Sequence, residues 1–399
     1  MRLIEVATKE QKKEFLEFPK RHYKKDPNWI CPLDAEINGI FNPQVNKKFQ
    51  HGEAIRWLLV DENSKTIGRI AAFYDKHIVN HFKFPTGGCG FFECIDNQAA
   101  AETLFDAARK WLIDKGMQAM QGPINFGENY NHWGLLVEGF IPQSYSMTYN
   151  FPYYQQLFEN YGFKNYFEQL SYNKDLYSGW PDRLVKFSEY IAGRPNYSFE
   201  HLKYNKLDTY VKYFVDLYNT IWAGFHDNYM PLEEDEIRTM LLEAKTILDE
   251  ELLWFVFDDG KPVGFLGVWP DINQVLAKLK NGKLNLFNKL KLLYFKRRAV
   301  NRIRVFVGGV HHDYQNKGVA GALFVQLIET AKKKKHLKFL DLSWVGDYNK
   351  KMNSLYKLSG AQLDRKHITY LKLFDDNLPF ERFTNEFEGK LYDYKKKKD

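Results

Sequence analysis

The run VGGVHHDYQNKGVAGALFVQLIETAKKKK, residues 307–335, opens as an apolar strand and closes as a helix with a lysine-rich end. Between them Gln315, Asn316, Lys317, Gly318, Val319, Ala320 and Gly321 form a turn with few bulky side chains. Backbone N–H groups at a helix N-terminus lack intrahelical acceptors, and the helix dipole adds positive potential there. Such a turn suits an anion, because glycine and alanine let a diphosphate approach the backbone. Each charge-assisted hydrogen bond is worth roughly 1.5–3 kcal/mol, so four or five would hold a diphosphate firmly. The spacing matches neither the GxGxxG dinucleotide pattern nor the GxxxxGK[ST] phosphate loop. On the local string alone, a tight strand-to-helix turn without a ligand fits as well.

The surroundings of this run recur in the first half of the chain. RWLLVDENSKTIGRIAAFYD (56–75) and LWFVFDDGKPVGFLGVWPD (253–271) each read as two apolar strands joined by a polar turn. A strand running into an amphipathic helix follows in both, at 90–116 and 304–335, then a strand, MQAMQGPI or LKFLDLSWV. A helix ends each series, at 153–163 and 349–361. In the second half two helices precede the hairpin, LDTYVKYFVDLYNTIWAGF and PLEEDEIRTMLLEAKTIL, and HITYLKLF closes it as a strand. Four elements in the same order point to an internal duplication. The class is α/β, a mixed sheet with helices on both faces.

Composition narrows the function. The 399 residues predict two domains, and no apolar run reaches the ~20 residues of a bilayer span. The N-terminus carries no export signal, and Cys31, Cys89 and Cys94 have no metal-ligand spacing, so a reducing cytoplasm without a bound metal is expected. The net charge of +7 is concentrated in 276–304, which holds ten Lys or Arg and no acid. No nucleic-acid recognition motif accompanies that charge.

Gln315-x-x-Gly318-x-Ala320 resembles the Q/R-x-x-G-x-G/A motif of the Gcn5-related N-acetyltransferase (GNAT) superfamily. Asn349-x-x-Met352-x-x-Leu355-Tyr356-Lys357-x-x-Gly360-Ala361 is similar to that family's second motif. The likeness covers 200–375 directly and 1–175 through the repeat. It implies two tandem GNAT-like (acyl-CoA N-acyltransferase) domains, each a mixed, mainly antiparallel sheet flanked by helices. The expected boundaries are 1–180 for a degenerate copy and 181–385 for an intact one with a basic insertion at 272–302. A basic tail occupies 386–399.

By the same resemblance, acetyl-CoA or another acyl-CoA is the co-substrate. The amides of Asn316, Lys317, Gly318, Val319, Ala320 and Gly321 would take its pyrophosphate, following Gln315. Val307, Gly308, Gly309 and Val310 would line the pantetheine arm, with Asn349 nearby. Tyr356 would protonate the departing thiolate as an amine, a small molecule or peptide, attacks the thioester directly. No general base stands out: the strand IRVFVGGV has no acid, and His311, His312, Asp341, Ser343, His226 and Asp227 compete with a water relay.

The first half lacks the cradle. GFFECIDNQAAAETLF has no glycine in the turn and carries Glu93, Asp96 and Glu102, and Phe158 replaces Tyr356. The loop QGPINFGENYNHWGLLVEGF (121–140) reads as a ligand surface or as an inter-domain loop. For 272–302 three readings stand: a solvated helical pair, an acyl-chain element or contact with an anionic membrane surface through 276–304, and an anionic-partner site. The function expected is N-acyl transfer from CoA to an amine, most simply N-acetylation. The alternatives are a long-chain acyl-CoA or acyl-carrier-protein donor, and a non-catalytic CoA-binding protein.

Overall fold

The computed structural model describes residues 1–79, 82–222, 231–279 and 281–384. The basic tail at 386–399, and His226 and Asp227, lie outside the described residues. The first repeat runs β1 (Arg2–Glu5), α1 (Lys9–His22), α2 (Asp34–Ile40), β2 (Gly52–Val60), β3 (Thr66–Asp75), β4 (Thr86–Cys94), α3 (Gln98–Asp114), β5 (Ala119–Gly122), β6 (Leu135–Glu138), α4 (Tyr154–Asn160) and β7 (Lys164–Asp175). A linking helix, α5 (Asp182–Ala192), leads to the second. That repeat runs β8 (Tyr197–His201), α6 (Leu207–Trp222), α7 (Glu234–Ala244), β9 (Leu253–Asp258), β10 (Lys261–Pro270), α8 (Asn273–Leu279), α9 (Leu286–Ala299), β11 (Arg302–Val310), α10 (Val319–Lys333), β12 (Phe339–Gly346), α11 (Lys350–Leu358) and β13 (Gln362–Leu373).

The expected hairpins, strand–helix crossovers and opening helices are all present, in matching order in both halves. Local chemistry explains their limits. Thr8 and Gln11 form a capping box at the start of α1, and the Asn97 side chain caps α3 by accepting from the Ala100 amide at 2.9 Å. β3 is buried along its whole length, as expected of a strand covered on both faces. Among the described residues all strand pairings are antiparallel except β4/β5 and β11/β12.

The halves do not form separate sheets. The order is β1-β2-β3-β4-β5-β13-β7-β12-β11-β10-β9-β8, with β6 pairing β13. The last strand of each repeat therefore leaves its own half. β7 pairs β12 of the second repeat, β13 pairs β5 of the first, and the two pair with each other.

This seam is lined by buried polar side chains. Arg365 on β13 donates to Asp341 Oδ2 on β12 at 2.6 Å, and both are fully buried. Ser144, from the first repeat, donates to the same carboxylate and accepts from Arg365 at 3.1 Å. Thr369 donates to Gln169 at 3.0 Å across β13 and β7. Burial alone would raise the Asp341 carboxyl. The guanidiniums of Arg365, Arg302 and Arg304 and the Ser144 hydroxyl outweigh it and hold the group down at about 2.

Asp341→Asn should lower unfolding stability by about 3 kcal/mol in urea titration, because it leaves the buried Arg365 with Asp364, 2.9 Å from its Nε, as its remaining carboxylate partner. Since the folded carboxyl titrates below its ordinary value, the wild-type contribution is complete above about pH 4 and is lost as pH falls through about 2. An equal midpoint for variant and wild type would show that the pair does not hold the seam.

Candidate active site

β11 and β12 are bonded only over Arg302–Arg304 and Phe339–Asp341. Beyond that point β12 follows β7, while β11 stays with β10 as far as Val310. The two parallel strands thus open a wedge. Val307, Gly308, Gly309 and Val310 lie on its β11 edge, where no strand pairs with them among the described residues.

The chain then turns sharply. Asn316 and Gly318 adopt left-handed φ of 63° and 81° on either side of Lys317, and α10 begins at Val319. Glycine reaches this region without strain and asparagine at modest cost. Tyr314 anchors the turn by donating to Asp258 Oδ2 on β9 at 2.7 Å. The first amides of α10 have no acceptor within the helix and emerge beside the wedge.

The cradle is partly covered. α5 lies against it, so that a Cβ on Gly318 would come within 2.3 Å of the Phe187 ring and one on Gly321 within 2.6 Å of Ser188 Oγ. Both glycines therefore permit close helix packing as well as the turn. Gln315, Asn316, Lys317 and Ala320 remain exposed. Beneath α5 a cavity of about 110 Å³ is lined by Trp180, Leu184, Ser188, Phe324, Leu342 and Tyr356. Trp180 Nε1 and Ser188 Oγ are buried without a hydrogen-bond partner.

Tyr356 is buried, and its ring meets Tyr172 edge-on at 5.6 Å. Tyr172 belongs to β7, the strand received from the first repeat, and donates to Asn353 Oδ1 at 3.0 Å. Burial, then the Asp341 charge and Tyr172, push the Tyr356 phenol up, so it stays protonated at neutral pH. Asn349 uses its side-chain oxygen to cap α11, accepting from Met352 N at 3.1 Å.

The candidate bases fare differently. Asp341 is tied to Arg365, and its low-lying carboxyl makes it a poor proton acceptor. Ser343 accepts from Arg304 Nε at 2.8 Å. His311 is half-buried, with its imidazole lowered chiefly by burial, and His312 lies on the exposed turn. One contributor was not specific in the sequence. The 121–140 loop of the first repeat crosses to this wedge, where Tyr130 meets Phe306 at 4.8 Å and the Asn129 carbonyl accepts from Trp344 Nε1 at 3.2 Å. Glu128 stands beside them, paired with Lys48 at 3.1 Å. The aromatic and amide content of the loop signalled contact, but its partner strands were not readable.

The equivalent opening in the first repeat is filled. β4 and β5 pair only over Thr86–Gly88 and Ala119–Gln121. The chain after β5 then lies on β4, where the Ile124 amide donates to Cys89 O at 2.8 Å and a Cβ on Gly90 would sit 1.7 Å from Ile124 O. Phe158 occupies the place of Tyr356 and packs against Phe92, Phe105 and Tyr370.

A larger cleft of about 410 Å³, lined by Lys245, Asp249, Glu251 and Lys334, sits at the C-terminal end of α10. Fifteen helical residues, roughly 22 Å, separate it from the wedge. Its Lys334 is already paired with Asp249 at 2.8 Å. Among the described residues His51, Asp75 and His77 gather possible metal-ligand atoms, but the Lys48 ammonium 3.5 Å from Asp75 already supplies positive charge there.

A family model for the GNAT acetyltransferases matches residues 214–361. The chain is 28% identical over 378 residues to Protein YghO of Escherichia coli K12, covering 90% of this chain and 92% of that one. It is likewise 28% identical over 386 residues to the bacterial ceramide synthase of Caulobacter vibrioides, covering 93% and 97%. In fold it resembles a tandem GNAT protein from the clavulanic acid biosynthesis pathway, with a TM-score of 0.54 and 11% identity over 95% of this chain and 99% of that one. The open wedge thus lies within the stretch that matches the GNAT acetyltransferase model, and the paired repeats sharing one sheet give the chain the fold of a tandem GNAT protein.

Proposed function

We propose that the second repeat, 181–385, carries out N-acyl transfer from a CoA thioester to an amine, and that the first, 1–180, has lost CoA binding and walls the acceptor side. The observation that carries this reading is the β11/β12 wedge leading into the left-handed turn of α10. The amides from Asn316 to Gly321 would hold the diphosphate, while the free edge from Val307 to Val310 would bond the pantetheine amides. When bound, the thioester supplies the acyl group for direct attack by the amine. Tyr356 would give its proton to the leaving sulfur. Asn349, which caps α11 ahead of Tyr356, would lie near the pantetheine arm.

This reading requires α5 to yield where it covers Gly318 and Gly321. Trp180 Nε1 and Ser188 Oγ, unpartnered in the cavity below it, would offer polar contacts to the arm once it enters.

A lipidic amine or a long acyl chain is favoured over a small acetyl acceptor by two observations. One relative, alike over nearly its whole length, is named a ceramide synthase. A second cavity of about 110 Å³ in the first repeat, closed by Asn273 and Leu276 of the second, sets apolar Trp29, Ile30, Phe91 and Met147 beside Arg69 and Glu93, a lining suited to an amphiphile. No described helix is long and apolar enough to cross a membrane.

Ala320→Glu puts an acid in an exposed first turn, which suits the helix but repels a diphosphate. Calorimetry should show CoA affinity reduced at least about ten-fold with thermal stability kept; unchanged affinity refutes the cradle. Phe187→Ala, which loosens α5, should tighten CoA binding several-fold, and an unaltered constant would mean that α5 is no barrier. Tyr356→Phe should lower kcat on the order of 10²-fold with little change in KM for acyl-CoA. An unaffected rate removes the phenol from the reaction.

A further inference from the structure

The insertion between β10 and β11 carries a feature that acyl transfer leaves unused. α9 has two apolar stripes on opposite sides. Leu292, Phe295 and Ala299 pack against the core of the second repeat. Leu286, Phe287, Leu290, Leu293 and Tyr294 face solvent, each between 55% and 77% exposed. At 100° per residue these five fall within one band about 120° wide. Lys291 and Arg298 border it on one side, and Lys289 and Lys296 on the other. The Arg298 guanidinium lies 4.0 Å from the Tyr294 ring centre and the Lys291 ammonium 4.6 Å from that of Phe287, so the cations flank the stripe directly.

The helix is also held rigidly. The Asn285 side chain caps it, accepting from Asn288 N at 2.9 Å. Asn288, buried, donates to Lys283 O at 2.7 Å. α8 fixes the insertion to both repeats, since Leu276 and Leu279 pack with Leu33 and the Asp34 amide donates to Gly282 O at 2.8 Å.

We propose that α9 is an interfacial helix that seats the protein on an anionic bilayer surface, its outer stripe entering the acyl boundary and its cations meeting lipid phosphates. Apolar side chains rimmed on both flanks by Lys and Arg are what an in-plane helix requires, because the long stems let the charges reach the headgroups. Charge complementarity favours this occupant over the others. A second copy would set cations against cations, because 272–302 contains no acid. A nucleic acid would leave five large apolar side chains facing phosphate. Leu276 on α8 also closes the cavity in the first repeat, so docking would bring that cavity close to lipid. The inference is independent of the acyl-transfer reading, because vesicle binding is measured without CoA.

The test is co-sedimentation of the full chain with vesicles of phosphatidylglycerol and phosphatidylcholine in equal parts, and with pure phosphatidylcholine. Wild type should partition onto the mixed vesicles and lose binding as salt is raised. Leu290→Asp with Leu293→Asp should reduce partitioning at least about ten-fold without altering the melting temperature. Lys289→Gln, Lys291→Gln and Arg298→Gln together should remove the preference for phosphatidylglycerol. Absence of wild-type binding overturns the proposal, as does binding unchanged by the double aspartate variant. A wild-type dimer that the same variant converts to monomer would instead assign the stripe to a second copy.

Discussion

The exchange of β7 and β13 is the constraint on which the rest of the molecule depends. Each repeat gives its final strand to the other, and the two strands pair in the middle of one sheet. Separating the repeats would break the β5/β13, β13/β7 and β7/β12 pairings at once, and unpaired edge groups are costly when buried. The Arg365–Asp341–Ser144 cluster lies across this seam, with members from both halves. A buried ion pair adds little net stability against an apolar alternative, but it penalises any register that parts its charges. The seam therefore has one arrangement.

That arrangement makes the two halves unequal partners in one site. Tyr172 arrives on the exchanged strand and packs on Tyr356, while Tyr130 and Asn129 arrive on a loop of the first repeat. The chain that fills the opening of the first repeat at Ile124 leads directly into that loop. Filling one wedge and lining the other are thus the work of a single stretch, 122–134. It gives a physical reason for a half without an open groove to persist.

The two glycines show how one sequence feature serves two demands. Gly318 needs a left-handed φ to start α10, and the same missing side chain admits Phe187 of the linking helix. A helix start with free amides and an apolar cover over it are compatible while the cover is held by packing alone. Charge is distributed in keeping with this: the cations of α9, such as Lys289, Lys291 and Arg298, lie on an insertion outside the wedge, so their field reaches anions from the flank rather than from within the site.

Much was legible in the amino-acid sequence. The hairpins at 56–75 and 253–271, the strand–turn–helix at 307–335 and the order of elements in both halves follow from periodicity and turn chemistry, which act over a few residues. The acid and the missing glycine at 93–102 marked the first half as different for the same local reason. Only the tertiary structure decided that β7 and β13 cross between repeats, that α5 rests on Gly318, and that Asp341 is bound to Arg365. Alternation tells which faces of a strand are buried, but not which strand lies beside it. That choice is made by contacts between residues far apart in the chain, such as Thr369 with Gln169, 200 positions away, and no local pattern carries them.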